Sequence, residues 1–538
     1  MTGKRQKDGF EVGGGSDKSA GWVALVGAGP GDAGLITVRG LERLRAADVV
    51  VYDALANPAL LAEARDGAEL IDAGKRAREH RLTQDQTNAL LAEKALAGHG
   101  VCRLKGGDPY LFGRGAEEAM FLAERGVAVE VVCGVTSGIA APAAAGVPVT
   151  LRGVSSTVTF VTGHEDPTKG ESSVDYAALA QLVAAGGTAC IYMGVGRLGA
   201  ISEAMIEGGA AADTPVAVTQ WGTTPRQRSV RTQLHTAADD VAAAGVGAPA
   251  IVVVGPVAGA IGEHAADEVP GGLDWFVNRP LFGQTVLVTR TRQQASALSA
   301  RLEAMGAEVL EAPTIELVPP ADDAGLVKAV AEVGSFDWVV LTSEAGVGAL
   351  ADRLMADGRD ARALGGVRVA AVGRSTATAL RDRLGVVADL LPPDANGEAL
   401  ADAMIDAGVG EGTRCLLLRA DIARPGLPKR LAEAGAEVVE AVAYETRTVA
   451  ALPEAVTAAL RAGRVDWATF TSGSTAKNLA ALLGDGAAEA MAGVKIASIG
   501  PVTSAAVRAC GWSVAVESAE ASVGCLAEAV AAASSGAG

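Results

Sequence analysis

The latter half of the chain carries its own pattern twice. Val286-Leu287-Val288-Thr289-Arg290 recurs as Leu416-Leu417-Leu418-Arg419, and Arg301-Leu302 with Gly306-Ala307-Glu308-Val309 recurs as Arg430-Leu431 with Gly435-Ala436-Glu437-Val438. Asp337-Trp338 with Thr342-Ser343 returns as Asp466-Trp467 with Thr471-Ser472. Arg290 and Arg419, Leu302 and Leu431, and Asp337 and Asp466 are each 129 positions apart. A repeat of that length describes whole domains rather than solenoid units. Within each copy, short aliphatic runs alternate with alanine-rich amphipathic stretches, the pattern of a parallel sheet covered on both faces. Two similar α/β lobes are therefore expected here.

At 538 residues the chain is too long for those lobes alone. A seam is expected where acidic GEHAADEVPGG gives way to the aromatic run from Asp274-Trp275-Phe276 to Pro280-Leu281-Phe282. The expected divisions are a polar, glycine-rich tail over 1–20, a first domain over 21–262, a linker over 263–282, a second domain over 283–530 and a tail over 531–538.

The first domain is a series of buried strands that end in small-residue loops. Trp22-Val23-Ala24-Leu25-Val26 runs into Gly27-Ala28-Gly29-Pro30-Gly31-Asp32, and Asp53 ends the strand 48–52. Val101-Cys102-Arg103-Leu104 runs into Lys105-Gly106-Gly107-Asp108-Pro109-Tyr110-Leu111-Phe112-Gly113-Arg114-Gly115. Gly106-Gly107 lets the backbone turn sharply and approach a ligand, and Asp108 is held extended by the proline after it. The first loop differs from a dinucleotide fingerprint, because its third glycine comes early and Pro30 offers no N–H to a pyrophosphate. On that segment alone a dehydrogenase stays a rival. Similar loops follow at Gly134-Val135-Thr136-Ser137-Gly138, Tyr192-Met193-Gly194 and Gly222-Thr223, so several could converge on one cleft.

Arg103, Lys105 and Arg114 crowd the second glycine loop and read as a site for an anionic substrate. The formal net charge of -17 disfavours nucleic acid and anionic membranes as partners but leaves small anions to local cations. Six scattered cysteines without Cys-x-x-Cys suit reduced thiols in a cytoplasmic protein, and five dispersed histidines give no metal spacing. No metal and no membrane span are expected.

Gly27 to Asp32, Tyr52-Asp53, Gly74-Lys75, Arg103 to Gly115, Gly134 to Ser137, Thr162-Gly163-His164 and Tyr192-Met193-Gly194 together resemble the uroporphyrinogen-III C-methyltransferases, which are S-adenosylmethionine-dependent tetrapyrrole methylases. Cys133 and Leu151 stand where that family usually has proline and often has histidine. The resemblance implies a fold of two α/β subdomains with S-adenosyl-L-methionine in the cleft between them. It implicates Pro30, Gly106, Gly107, Asp108, Leu111, Thr136, Ser137, Met193 and Gly222 in holding that cofactor. It gives Asp53 and Lys75 acid/base roles, for which Asp53 as a helix cap and Lys75 as a surface charge are the structural alternatives. A homodimer through the methyltransferase half is also implied.

The repeated lobes, with Thr289-Arg290, Tyr444, and Gly500-Pro501-Val502-Thr503, resemble uroporphyrinogen-III synthase. That family implies two similar parallel-sheet α/β lobes joined by a two-strand hinge, one lobe of 283–316 plus 447–530 and the other of 317–446. Tyr444 at the hinge is the candidate for assisting departure of the substrate hydroxyl. Arg290, Arg419, Thr342, Ser343, Thr471, Ser472 and Thr503 are candidates for binding substrate carboxylates, with helix capping the alternative for the Thr-Ser pairs. The combined expectation is cyclisation of hydroxymethylbilane to uroporphyrinogen III with ring D inversion, then methylation at C2 and C7 to precorrin-2, feeding siroheme or cobalamin. The alternative is a methylase of a later corrin intermediate carrying a non-catalytic tetrapyrrole-binding module.

Overall fold

The computed structural model describes residues 21–65, 67–74, 82–163, 174–260, 273–289 and 292–535. They form two compact units, one reaching Gln284 and taking in Ala304–Glu308, the other comprising Thr285–Glu303 and the chain from Val309.

The first unit contains two five-stranded sheets. In the first, all neighbours are parallel, in the order Glu69–Asp72, Val49–Tyr52, Gly100–Lys105, Trp22–Gly27 and Ala128–Val132. Its central strands are mostly apolar because both faces are covered, whereas the edge strand Glu69–Asp72 is largely exposed. Val23, Leu25, Val49, Val51 and Val101 pack with Leu91 and Leu122 on one face, while Ala24, Val26, Val50, Cys102 and Leu104 pack with Leu44 and Leu60 on the other. Since the strands run one way, the loops after Gly27, Tyr52, Lys105 and Val132 leave the same edge.

The second sheet runs Val158–Thr162, Thr188–Tyr192, Ala250–Val254, Pro215–Gln220 and Arg228–Gln233, and only its first pair is parallel. Ala250–Val254 is antiparallel to both its neighbours. Thr188–Tyr192 and Pro215–Gln220 consequently point the same way, so Met193 and Gly222 emerge at one edge.

Residues 273–282, expected as linker, are packed into this unit. Phe276 is buried, Trp275 Nε1 donates to Ala143 O at 3.3 Å, and the Arg279 guanidinium lies 4.2 Å from the Phe276 ring centroid. The aromatic run read as part of the seam is thus tied to the first unit by the burial of Phe276 and the contact of Trp275.

The second unit contains the two expected sheets. One runs Glu308–Glu311, Thr285–Val288, Trp467–Phe470, Lys495–Ser498, Val516–Glu517, and the other Ile315–Val318, Glu437–Thr448, Arg414–Ala420, Trp338–Leu341, Arg368–Ala371. The repeat is visible atom by atom. Asp337 N–H donates to Arg414 O (2.9 Å) while its carboxylate accepts Arg414 N–H (2.8 Å); Asp466 does the same with Thr285 (2.9 and 2.7 Å). The tryptophans that follow, Trp338 and Trp467, are both buried and lie beneath Arg368 and Lys495. Ile315–Val318 pairs antiparallel with the end of Glu437–Thr448, which brings the two chain crossings side by side. The α/β fold class read from the sequence holds in both units.

Candidate active sites

Three backbone segments meet at the loop edge of the first sheet. Gly107 N–H donates to Gly29 O at 2.7 Å, Gly29 N–H returns to Gly107 O at 3.3 Å, and Ala28 N–H donates to Lys105 O at 2.7 Å. A Cβ on Gly27 would lie 2.4 Å from Gly134 Cα, and one on Gly134 would lie 2.2 Å from Gly107 O. Asp108 braces the crossing, its Oδ1 accepting Tyr110 N–H at 2.8 Å and its Oδ2 accepting Gly134 N–H at 3.0 Å. Gly107 itself has φ +70°, and its absent Cβ would meet nothing nearer than Ser137 N at 3.9 Å. The result is a hollow walled by bare backbone.

The second sheet forms the facing side. Tyr192 OH accepts Gly138 N–H at 2.7 Å and bonds Thr136 Oγ1 at 2.5 Å, tying the strand Thr188–Tyr192 to the start of helix Ser137–Ala144. Burial pushes the Tyr192 phenol above its ordinary range, although the Thr136 and Gly138 bonds oppose the shift, so it stays a neutral hydrogen-bonding group. The Phe112 ring lies 5.0 Å from that of Tyr192.

Among the described residues, five other than glycine have positive φ: Phe112 (54°), Arg114 (58°), Met193 (55°), Trp221 (49°) and Thr223 (64°). All lie in these loops. Each left-handed residue costs about 1–2 kcal/mol, so its surroundings must impose the conformation. For Thr223 they are identifiable: its N–H donates to Gln227 Oε1 at 2.9 Å and its Oγ1 accepts Asp32 N–H at 3.2 Å. Strain confined to one cleft points to binding there. Sequence reasoning missed Phe112, Trp221 and Thr223, because positive φ in a non-glycine residue leaves no compositional trace, and it gave Tyr192 no role.

Of the residues expected around the cofactor, Pro30, Gly106, Gly107, Asp108, Thr136, Ser137, Met193 and Gly222 lie on these loops, with Met193 exposed. Gly222 admits no side chain, since a Cβ would fall 2.3 Å from Ala141 Cβ. Leu111 packs against the core around Cys190 and Tyr192.

Two expected substrate cations are corrected. Arg103 and Lys105 are 4% and 3% exposed, turned inward on alternate positions of one strand. Glu118, with no exposed surface, takes both, at 3.3 Å from Arg103 Nε and 2.9 Å from Lys105 Nζ. Arg103 Nη2 also holds Asp53 Oδ1 at 2.5 Å. Internal carboxylates therefore occupy the charges assigned to substrate. Asp53 keeps 31% of its side chain exposed. Arg114 is exposed and paired with Glu117 at 2.6 Å. Lys75 lies outside the described residues.

In the second unit Tyr444 sits where the pairing register of Glu437–Thr448 against Arg414–Ala420 shifts, between Arg419 and Ala420. A bulge of this kind re-aims a side chain. Tyr444 OH donates to Ser343 Oγ at 3.0 Å, and the ring lines a hollow of about 340 Å³ with Ile315, Leu317, Ala345, Ile422 and Arg424. Ser343 Oγ and Ser472 Oγ cap helices, accepting Gly346 N–H (3.1 Å) and Thr475 N–H (3.4 Å). Thr342 and Thr471 precede them, half-buried. Arg419 and Thr503 are corrected as substrate groups. Arg419 is buried, ion-paired with Glu440 at 2.8 Å and donating from Nη2 to Arg424 O at 2.6 Å, and Thr503 is buried within helix Pro501–Ala509. Arg290 lies outside the described residues.

Thiol chemistry offers a test of the first cleft. Cys133 is exposed beside Gly134, whereas Cys102 and Cys190 are buried, and burial pushes both thiols up to about 12. At pH 8 roughly one in ten thousand of those two is thiolate. Iodoacetamide followed by peptide mass mapping is expected to label Cys133 in the native protein and Cys102 and Cys190 only after unfolding. Labelling of Cys102 at the rate of Cys133 would contradict the packing.

Among the described residues no three His, Cys, Asp or Glu side chains could hold a metal ion, and no helix is long and apolar enough to cross a membrane.

Residues 23–238 match the family model of the Tetrapyrrole (Corrin/Porphyrin) Methylases, and residues 296–528 match that of Uroporphyrinogen-III synthase HemD. The porphyrin biosynthesis protein HemD of Ruminiclostridium josui is 36% identical over 476 residues, covering 88% of this chain and 92% of that protein. The S-adenosyl-L-methionine-dependent uroporphyrinogen III methyltransferase of Methanosarcina barkeri is 49% identical over 237 residues, covering 44% of this chain and 92% of that protein. The crystal structure of uroporphyrin-III C-methyl transferase from Thermus thermophilus with S-adenyl homocysteine shares 36% identity over 44% of this chain and 98% of that chain, at a TM-score of 0.37.

Proposed function

Because this chain belongs to the tetrapyrrole methylases through its first unit and to the uroporphyrinogen-III synthases through its second, we propose that it makes precorrin-2 from hydroxymethylbilane in two steps. The second unit closes the linear tetrapyrrole to uroporphyrinogen III with ring D inverted. The first methylates that product at C2 and C7. The chain is a bifunctional enzyme of tetrapyrrole biosynthesis.

The observation that carries the methylation is the bare backbone at Gly107, together with five residues of positive φ on the loops that follow strands of the two sheets. A flat nucleoside fits such a cradle because no Cβ stands in its way. Leu55 Cβ lies 3.0 Å from where a Cβ on Gly106 would sit, and Ser137 N lies 3.9 Å from the corresponding point on Gly107. When bound, S-adenosyl-L-methionine supplies a methyl group already activated on sulfur. What the chain must do is hold that methyl in line with a pyrrole carbon, exclude water and take away a proton. In this reading Asp53, whose side chain is 31% exposed and paired with Arg103, takes the proton.

For the second unit, Tyr444 at the hinge donates a hydrogen bond to the departing hydroxyl. Tyr444→Phe keeps the ring and removes the donor. Formation of isomer III is expected to fall about 100-fold or more with little change in melting temperature. Chromatography of the oxidised products would show this, and an undiminished rate would remove Tyr444 from the mechanism.

The decisive experiment incubates the whole chain with hydroxymethylbilane, with and without S-adenosyl-L-methionine. Uroporphyrinogen III alone and then precorrin-2 are the expected products. Isomer I alone would refute the synthase step, and methylation only of later corrin intermediates would refute the methylase step. A homodimer through the methyltransferase half and a cytoplasmic location complete the reading, the first testable by light scattering.

A further inference from the structure

Behind Asp53 lies a buried set of charges that the chemistry so far does not use, in which Glu118 Oε2 has no hydrogen-bond partner among the described residues. Glu118, in the first turn of helix Gly115–Ala123, is fully buried. Its Oε1 accepts from Lys105 Nζ (2.9 Å), Gln84 Nε2 (3.0 Å) and Arg103 Nε (3.3 Å). Arg103 continues outward, Nη1 to Val51 O at 3.4 Å and Nη2 to Asp53 Oδ1 at 2.5 Å. Two cations face two anions, and Asp53 is the member that reaches the cleft. A buried ion group of this kind is weak evidence for stability, since apolar residues of equal volume often do as well. It does fix the direction and the charge environment of whatever it holds.

We propose that Glu118 is a positioning residue for methylation: by anchoring Arg103 and Lys105 inside the sheet it makes Arg103 present Asp53 to the cleft in one orientation and one charge balance. The proposal rests on the reading of Asp53 as the group that takes the proton. Glu118 never touches substrate; it acts through Arg103. Burial, and then Arg103, pushes the Lys105 ammonium below its usual range, while Glu118 and Asp53 pull the other way. Arg103 is held above its usual range, because Asp53 and Glu118 outweigh the burial that opposes its charge. Among the described residues, Asp85 on helix Gln84–Leu96 and the exposed Arg114–Glu117 pair are the further charged groups that act on this network. None of them lies between Glu118 and Asp53 on the chain of bonds above.

The test is the pH profile of methylation of uroporphyrinogen III at saturating S-adenosyl-L-methionine, using the whole chain. Glu118→Gln leaves two cations against Asp53, so the acid limb is expected to move down by about half a unit or more, with a lower plateau. Lys105→Met leaves an excess anion, so the limb is expected to move up by a similar amount. In the double variant the balance returns, and the limb should lie between the two. The KM for S-adenosyl-L-methionine should stay within about twofold throughout, because the cofactor is held elsewhere. Limbs that stay at the wild-type position, or that move in the same direction in both single variants, overturn the proposal. If Glu118→Gln does not fold, Lys105→Met alone decides by the sign of its shift. A wild-type enzyme with no acid limb would instead sink the assignment of Asp53, and this proposal with it.

Discussion

Gly134→Ala is expected to abolish binding of S-adenosylhomocysteine, weakening it by at least about 100-fold in calorimetry. The added methyl would lie 2.2 Å from Gly107 O and 2.6 Å from Gly27 Cα. Both obstacles are backbone, held by the Gly29–Gly107 hydrogen bonds and by Asp108, so neither can swing aside as a side chain would. Relief requires the two glycine loops to part by about an ångström, and that separation opens the hollow. Overpacking of this kind costs about 1–3 kcal/mol or more. Gly325→Ala is the control, since a Cβ there meets nothing within 4 Å. Tight ligand binding by Gly134→Ala would show that the three loops do not cross as described.

The largest loss of stability is expected from Glu118→Ala. Truncation leaves Arg103 and Lys105 buried without the carboxylate that both share, and Gln84 keeps Asn88 as acceptor but loses Glu118. Removing one partner from a buried ion group costs about 3–5 kcal/mol, far more than the group contributes over an apolar replacement. The midpoint of the transition that reports the first unit in urea should fall accordingly. Lys429→Ala offers the contrast. Its pair with Glu433 is 3.7 Å long and largely exposed, so less than about 0.5 kcal/mol is at stake. Equal losses in the two variants would mean that Glu118 is hydrated in solution.

Sequence was most informative where chemistry is local. A constant offset of 129 residues announced paired lobes, and the Asp-Trp pairs at 337 and 466 make matching hydrogen bonds. The glycine loops were legible because a missing side chain is itself a signal. Arg103 and Lys105 were misread for the opposite reason. Cations beside bare backbone look like a receptor for anions, and only the fold reveals that a glutamate 13 to 15 positions later has already claimed them. Alternation along the strand set Arg103 and Lys105 on one face together, yet nothing local said that this face was covered. Tyr192 was equally hidden, since the Thr136 and Gly138 groups it secures lie more than fifty residues earlier.

Leu273 to Phe282 has a consequence for how the two catalysts can be separated. These residues sit on the first unit like a splint, with Leu273 O close to Gly146, Asp274 reaching Arg231 at 3.5 Å and the Trp275 indole on Ala143 O. The helix they brace begins at Ser137, on the wall of the cofactor hollow. A protease or a gene fusion that severed the chain ahead of Leu273 would therefore leave a greasy scar on the methylase and loosen the far end of that helix. A cut meant to keep this splint on the methylase lies no earlier than Gln284, and it still separates the splint from Ala304–Glu308, whose Met305 O accepts Leu281 N–H at 2.8 Å.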